Sequence, residues 1–201
     1  VMVSHGHVRE LIGRTKYLFI PTIINMSGPE LSEAALYCPM LQSNSYMVRS
    51  ALNIDPLSIL SPTIHLKHDP EKLALEIWQQ IQSKLGVRKS DVRKALLYAM
   101  ERQRQFEAEL YKKGSDILEA HSQDEPFVVV TGRPYNLYDE RLNLRLGQNL
   151  SRIGVTALPM DFIDVSSVDL SDFPSMYWGL GARILRTARF IKENDNCYGL
   201  H

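Results

Sequence analysis

Cysteine is scarce: Cys38 and Cys197 are the two in 201 residues. That excludes a disulfide framework and fits a reducing compartment. Neither charge sign is in excess, because 23 Lys and Arg balance 23 Asp and Glu, so no global basic field exists to hold nucleic acid. No unbroken apolar run approaches membrane-spanning length. The opening "VMVSHGHVREL" lacks the charged start and apolar stretch of a secretory signal. Zinc spacing, the dinucleotide glycine fingerprint, the phosphate loop with its lysine and a Ser/His/Asp arrangement are all missing. Internal repeats and low-complexity tracts are missing too. These absences predict a soluble, cytoplasmic protein without a membrane or nucleic-acid partner.

What remains is an α/β pattern. "KYLFIPTII", Lys16 to Ile24, is short, β-branched and apolar on both parities, as in a strand buried on two faces of a parallel sheet. A loop over Asn25 to Tyr37 and a helix from Ser43 or Ser45 to Leu52 follow, then a second strand candidate, "LSILSPTIHL", weakened by Pro62. From Asp69 the period becomes helical. Asp69 caps, Pro70 opens the first turn, Leu73, Ile77, Ile81 and Leu85 form a stripe, and Gly86 stops it. A longer helix spans Ser90 to His121, with Val92, Leu96, Ala99, Phe106 and Leu110 on one face. "PFVVVTG" is a strand, Asp139 to Ile153 a helix, "VTALPM" a parallel strand, and Pro174 to Lys192 a last helix. The expected architecture is therefore two parallel-sheet lobes joined by long helices. Residues 1–68 form part of a first α/β lobe, 69–123 a helical connector, and 124–201 a second lobe incomplete at its C-terminus. Both ends read as cut, so the chain is expected to be a fragment of a larger protein.

Two places carry possible chemistry. The turn Gly132-Arg133-Pro134 leaves the carboxyl end of a strand, where ligands enter open α/β sheets. A following helix would offer N–H groups to an anion, and Arg133 a bidentate contact. The plainer reading is a tight corner, with Gly132 allowing the bend, Pro134 stiffening it and Tyr135 packing. Cys38 stands in a Cys-Pro step within a loop, a few residues before a helix start that would stabilise a thiolate; a simply buried thiol is the alternative. Cys197 and the pair Tyr177-Trp178 read as core. His65 and His68, at a strand-to-helix junction, read as facing solvent, and His5 and His7 point apart on a helix.

"HGHVREL", "YCP" with "MLQSNSYMVRSAL", "TGRPYNLYDERLNL" and "LPMDF…MYWGLGARILRTARFI" together resemble the dehydratase-component-like region of the 2-hydroxyacyl-CoA dehydratase activase-related family. The resemblance runs in order through nearly the whole chain. It implies an iron–sulfur module of an ATP-dependent, low-potential electron-transfer system acting on 2-hydroxyacyl-CoA or a related small substrate. It also implies an ATP-hydrolysing activator domain as partner, in the same chain or another, and an acyl-CoA as possible substrate. Relatives hold a [4Fe–4S] or double-cubane cluster, and Cys38 matches one of their cysteines, making it the candidate metal ligand. Gly132, Arg133 and Tyr135 are the candidates for lining the cofactor or substrate cleft between lobes. The family's other ligand cysteines would fall beyond both ends, so the fragment alone is expected to be cluster-free and inactive. The alternative function is a cofactor-free interaction module that docks the activator.

Overall fold

The computed structural model describes residues 2–28, 35–122 and 124–201. Part of the loop expected over Asn25 to Tyr37 lies outside the described residues. The fold is α/β with small parallel sheets. By internal contacts it divides into two units, Val1–Glu101 and Arg102–His201.

In the first unit, helix α1 (Met2–Leu11) precedes strands β1 (Leu18–Phe19) and β2 (Thr22–Asn25), then helices α2 (Pro39–Gln42) and α3 (Asn44–Ala51). Strands β3 (Ile59–Leu60) and β4 (Thr63–His65) follow, then helix α4 (Pro70–Leu85). The two long strands expected here are each broken once, and the cause is proline. β1 pairs in parallel with β3, Leu18 facing Ile59, and β2 with β4, Thr22 facing Thr63; the unchanged register sets Pro21 opposite Pro62. Neither proline has an N–H for a ladder. Between them Ile20 N donates to Leu60 O at 2.8 Å and Thr22 N to Pro62 O at 2.9 Å, so the ribbon holds across the gap.

Val8, Leu18, Ile20, Val48 and Ile59 form one core. Ile64, Leu73, Ile77 and Ile81 form another, over which α4 lies. Three of the four stripe residues of α4 are thus buried, while Leu85 stays 39% exposed at its end. Each buried aliphatic side chain contributes about 1.5–3 kcal/mol. Asp69 caps α4 by accepting from Glu71 N and Lys72 N, and Gly86 ends it in a left-handed conformation at φ +64°.

Helix α5 (Lys89–Ala120) is continuous through the unit boundary. Val92 and Leu96 pack on the α4 core, whereas Phe106, expected on the same apolar face, is 55% exposed.

The second unit holds strand β5 (Phe127–Val130), short helices α6 (Pro134–Tyr138) and α7 (Leu146–Arg152), strand β6 (Thr156–Pro159), helix α8 (Gly179–Glu193) and strand β7 (Cys197–Leu200). All pairs are parallel, in the order β6-β5-β7. Phe127, Val129, Met160, Ile163, Val165 and Cys197 make its core. Of the single helix expected over Asp139 to Ile153 only α7 forms; α6 lies before Asp139, and residues 140–145 are turn. The Asp139 carboxylate accepts from Arg141 N and Leu142 N, a turn that competes with helix, and Leu144 and Arg145 adopt positive φ. α8 begins at Gly179 rather than Pro174, because residues 174–178 turn and bring Met176 against Gly181. Tyr177, read as core, is 47% exposed and leans on Trp178. No described helix is long and apolar enough to cross a membrane.

Candidate functional site

Parallel strands end together, and their carboxyl edge is where an α/β sheet leaves a crevice. In the second unit that edge begins at Thr131, one residue past β5. Its N–H donates to Leu200 O at 2.7 Å, and its hydroxyl meets His201 Nδ1 at 3.0 Å. Next, Gly132 turns the chain at φ +155°, where residues with a Cβ are strained. A Cβ there would find ordinary spacing, 3.8 Å to the Leu137 side chain, so conformation rather than crowding requires the glycine. Arg133 O then accepts from Asn136 N and Leu137 N, starting α6.

A cavity of about 620 Å³ opens here, lined by Thr131, Gly132, Arg133, Tyr135, Ile184 and His201 among others. Its size falls in the range of small-molecule sites. Gly132, Arg133 and Tyr135 therefore meet at one opening, and Tyr135, read alternatively as packing, is 46% exposed. The long helix expected to aim its N–H groups at an anion is not there; α6 has five residues. Polarity at this cavity comes instead from side chains: the Arg133 guanidinium, the Tyr135 hydroxyl, and the Thr131–His201 pair.

Behind β6 lies a polar chain that sequence reasoning missed. Tyr138 donates its hydroxyl to Asp161 Oδ2 at 2.8 Å, and Asp161 Oδ1 lies 3.4 Å from Arg183, which donates to the Tyr111 hydroxyl at 3.3 Å. Burial, and then the Asp161 carboxylate, push the Tyr138 phenol well above its ordinary range, so it stays a donor. The signal available was position: Asp161 follows β6 as Thr131 follows β5.

In the first unit Cys38 is half-buried, outside the three apolar clusters, and its carbonyl accepts from Leu41 N and Gln42 N as α2 begins. Cys197 sits in the second unit's core, and burial pushes its thiol up to about 11. His65 and His68, read as solvent-facing, are half-buried, stack with ring centroids 4.9 Å apart, and meet Glu76.

The family model described as "CoA enzyme activase uncharacterised domain" matches residues 1–163. The chain belongs to that CoA enzyme activase domain family. The match takes in the first unit, the Gly132–Tyr135 turn and Asp161, and it supports the acyl-CoA dehydratase activase-related reading. No significant match exists among curated proteins or solved structures.

The iron–sulfur group that such relatives imply does not fit this chain's thiols alone. Such clusters want several thiolates. One of the two sulfurs is in an apolar core and protonated, which leaves Cys38 as a single donor.

Proposed function

We propose that this CoA enzyme activase-like domain acts as the dehydratase-like module of an ATP-dependent, low-potential electron-transfer system. Its substrate would be a 2-hydroxyacyl-CoA or a related small substrate. The observation that carries the reading is the cavity at the carboxyl edge of β5 and β7, roomy enough for an acyl group and open at an arginine. In this reading Arg133 pairs with an anionic part of the CoA moiety, bidentate geometry suiting phosphate or carboxylate. Thr131 and His201, already hydrogen-bonded to each other, orient the thioester carbonyl from the strand ends. Gly132 makes the turn that sets Arg133 at the cavity mouth. A [4Fe–4S] or double-cubane cluster would take Cys38 as one ligand, together with thiolates this chain does not hold. The ATP-hydrolysing activator domain is the proposed partner.

The test is a thermal-shift titration with acyl-CoA. The expected result is a rise in Tm that Arg133→Ala abolishes; no shift at millimolar ligand overturns the reading. For the metal ligand, the natural polypeptide that carries this chain is reconstituted anaerobically with iron and sulfide. Cys38→Ser should lower bound iron, and unchanged iron removes Cys38 from the ligand set.

A second reading, a cofactor-free module that docks the activator, draws on α5. Its one fully buried residue is Gly114, while Tyr98 is 71% exposed and Phe106 55%. Activator binding weakened by Tyr98→Ala, with no acyl-CoA shift, would favour it.

A further inference from the structure

At the end of β4 three side chains with metal-ligating atoms converge, and nothing in the acyl-CoA reading uses them. We propose that His65, His68 and Glu76 form a binding site for a divalent transition-metal cation of the zinc class. The ligand atoms of the three lie within 4.8 Å of one another. His68 Nδ1 is 2.9 Å from Glu76 Oε2, and His65 Nδ1 is 3.9 Å from the same oxygen. Zinc binds nitrogen and oxygen at about 2.0–2.2 Å, so tetrahedral ligands stand about 3.3 Å apart. The two observed separations bracket that value.

The convergence follows from how α4 is fixed on β4. Gln80 covers the strand edge with its amide: Thr63 N donates to Gln80 Oε1 at 2.8 Å, and Gln80 Nε2 donates back to Thr63 O at 3.2 Å. Moving two residues up the strand to His65 advances about 6.6 Å, and one turn back along the helix to Glu76 about 6 Å. The carboxylate is thereby carried to the imidazole. His68 joins through the turn that closes the strand, its N–H donating to His65 O at 3.0 Å. Opposite His65 the register of β2 slips by one residue between Ile23 and Asn25; such bulges re-aim side chains beside functional sites.

Two imidazoles and one carboxylate suit zinc, iron(II) or cobalt(II), and three protein ligands leave a position for water or a substrate oxygen. The site is half-buried, so an ion can enter. Without an ion the charge is managed locally: Lys72 Nζ lies 3.2 Å from His68 Nε2 and 4.0 Å from Glu76 Oε1. An arriving dication must push that exposed ammonium aside, so Lys72 is a competitor of the metal.

Zinc titration of the full chain by calorimetry, and cobalt(II) absorption, test this. Expected are one zinc per chain and a cobalt spectrum without thiolate charge transfer. Binding should be at least about tenfold weaker in His68→Ala and Glu76→Gln, and tighter in Lys72→Met. The last variant keeps every proposed ligand, so its result does not depend on damage to the fold. Absence of zinc binding overturns the proposal, as does binding that survives both ligand substitutions but is lost in Cys38→Ser. Weaker binding in Lys72→Met overturns it too. Because these residues and the β5–β7 cavity belong to different units, failure here leaves the acyl-CoA result standing.

Discussion

The two sulfurs answer to their surroundings, not to their neighbours in sequence. Cys197 faces the second core, and its thiol is raised from 9.0 to about 11 by desolvation. The thiol is neutral when protonated, so the unfolded chain ionises first as pH rises. Stability linked to this group is full below pH 9 and is lost between pH 9 and about 11. Urea melts over that range should show Cys197→Ala with a flatter profile than the parent. At about pH 8, iodoacetamide should label half-buried Cys38 well before Cys197, thiolate and access both deciding the rate; equal labelling would contradict the burial. That Cys197 is core was legible from its place among strand residues. That Gly132 and Arg133 stand at an opening was legible from strand-end position; Tyr135 joined them only through the family resemblance. The meeting of His65, His68 and Glu76 was not, because Glu76 reaches the histidines only through the Gln80 clasp on Thr63, a pairing with no local signature.

Among the elements, α5 has a feature that propensity alone misprices. Glycine in a helix interior costs about 1 kcal/mol against alanine, yet Gly114 is buried where the chain after β6 crosses the helix. A Cβ added there would collide with the Phe162 carbonyl oxygen and lie 2.8 Å from its carbon. Backbone cannot swing aside as a side chain can. Gly114→Ala should therefore destabilise by about 3 kcal/mol despite better helix propensity, read as a lower urea midpoint. A stabilised variant would mean the crossing is looser than described. Capped helices such as α4 were readable because Asp69, Pro70 and Gly86 act locally. The late start of α7 was hidden because the same polar residues serve helix or turn, and Asp139 decides only by bonding Arg141 N and Leu142 N.

At the scale of the molecule, each apolar cluster is assembled within one unit: Val48 among residues of the first, Val129 on the central strand of the second. Both side chains are essentially inaccessible. Truncating either to alanine should open amides of its own unit, read by hydrogen exchange, and leave protection in the other sheet largely unchanged; uniform loss in both would show one cooperative block. Fold class was accessible from strand and helix periods, although the burial expected on both strand faces is not met: Phe19, next to buried Leu18, is 56% exposed, and β5 alternates buried with half-buried residues. Strand lengths were legible only in part: Pro62 marked the weak point of its run, whereas Pro21 was passed over inside "KYLFIPTII". Those prolines have an effect beyond the native state. "KYLFIPTII" and "LSILSPTIHL" are both β-prone tracts, and each carries its proline near the middle. Stacked cross-β assemblies have no room for a residue without an N–H in every layer. Pro21 and Pro62 therefore disfavour fibril growth through these two segments while the polypeptide is newly made and unfolded.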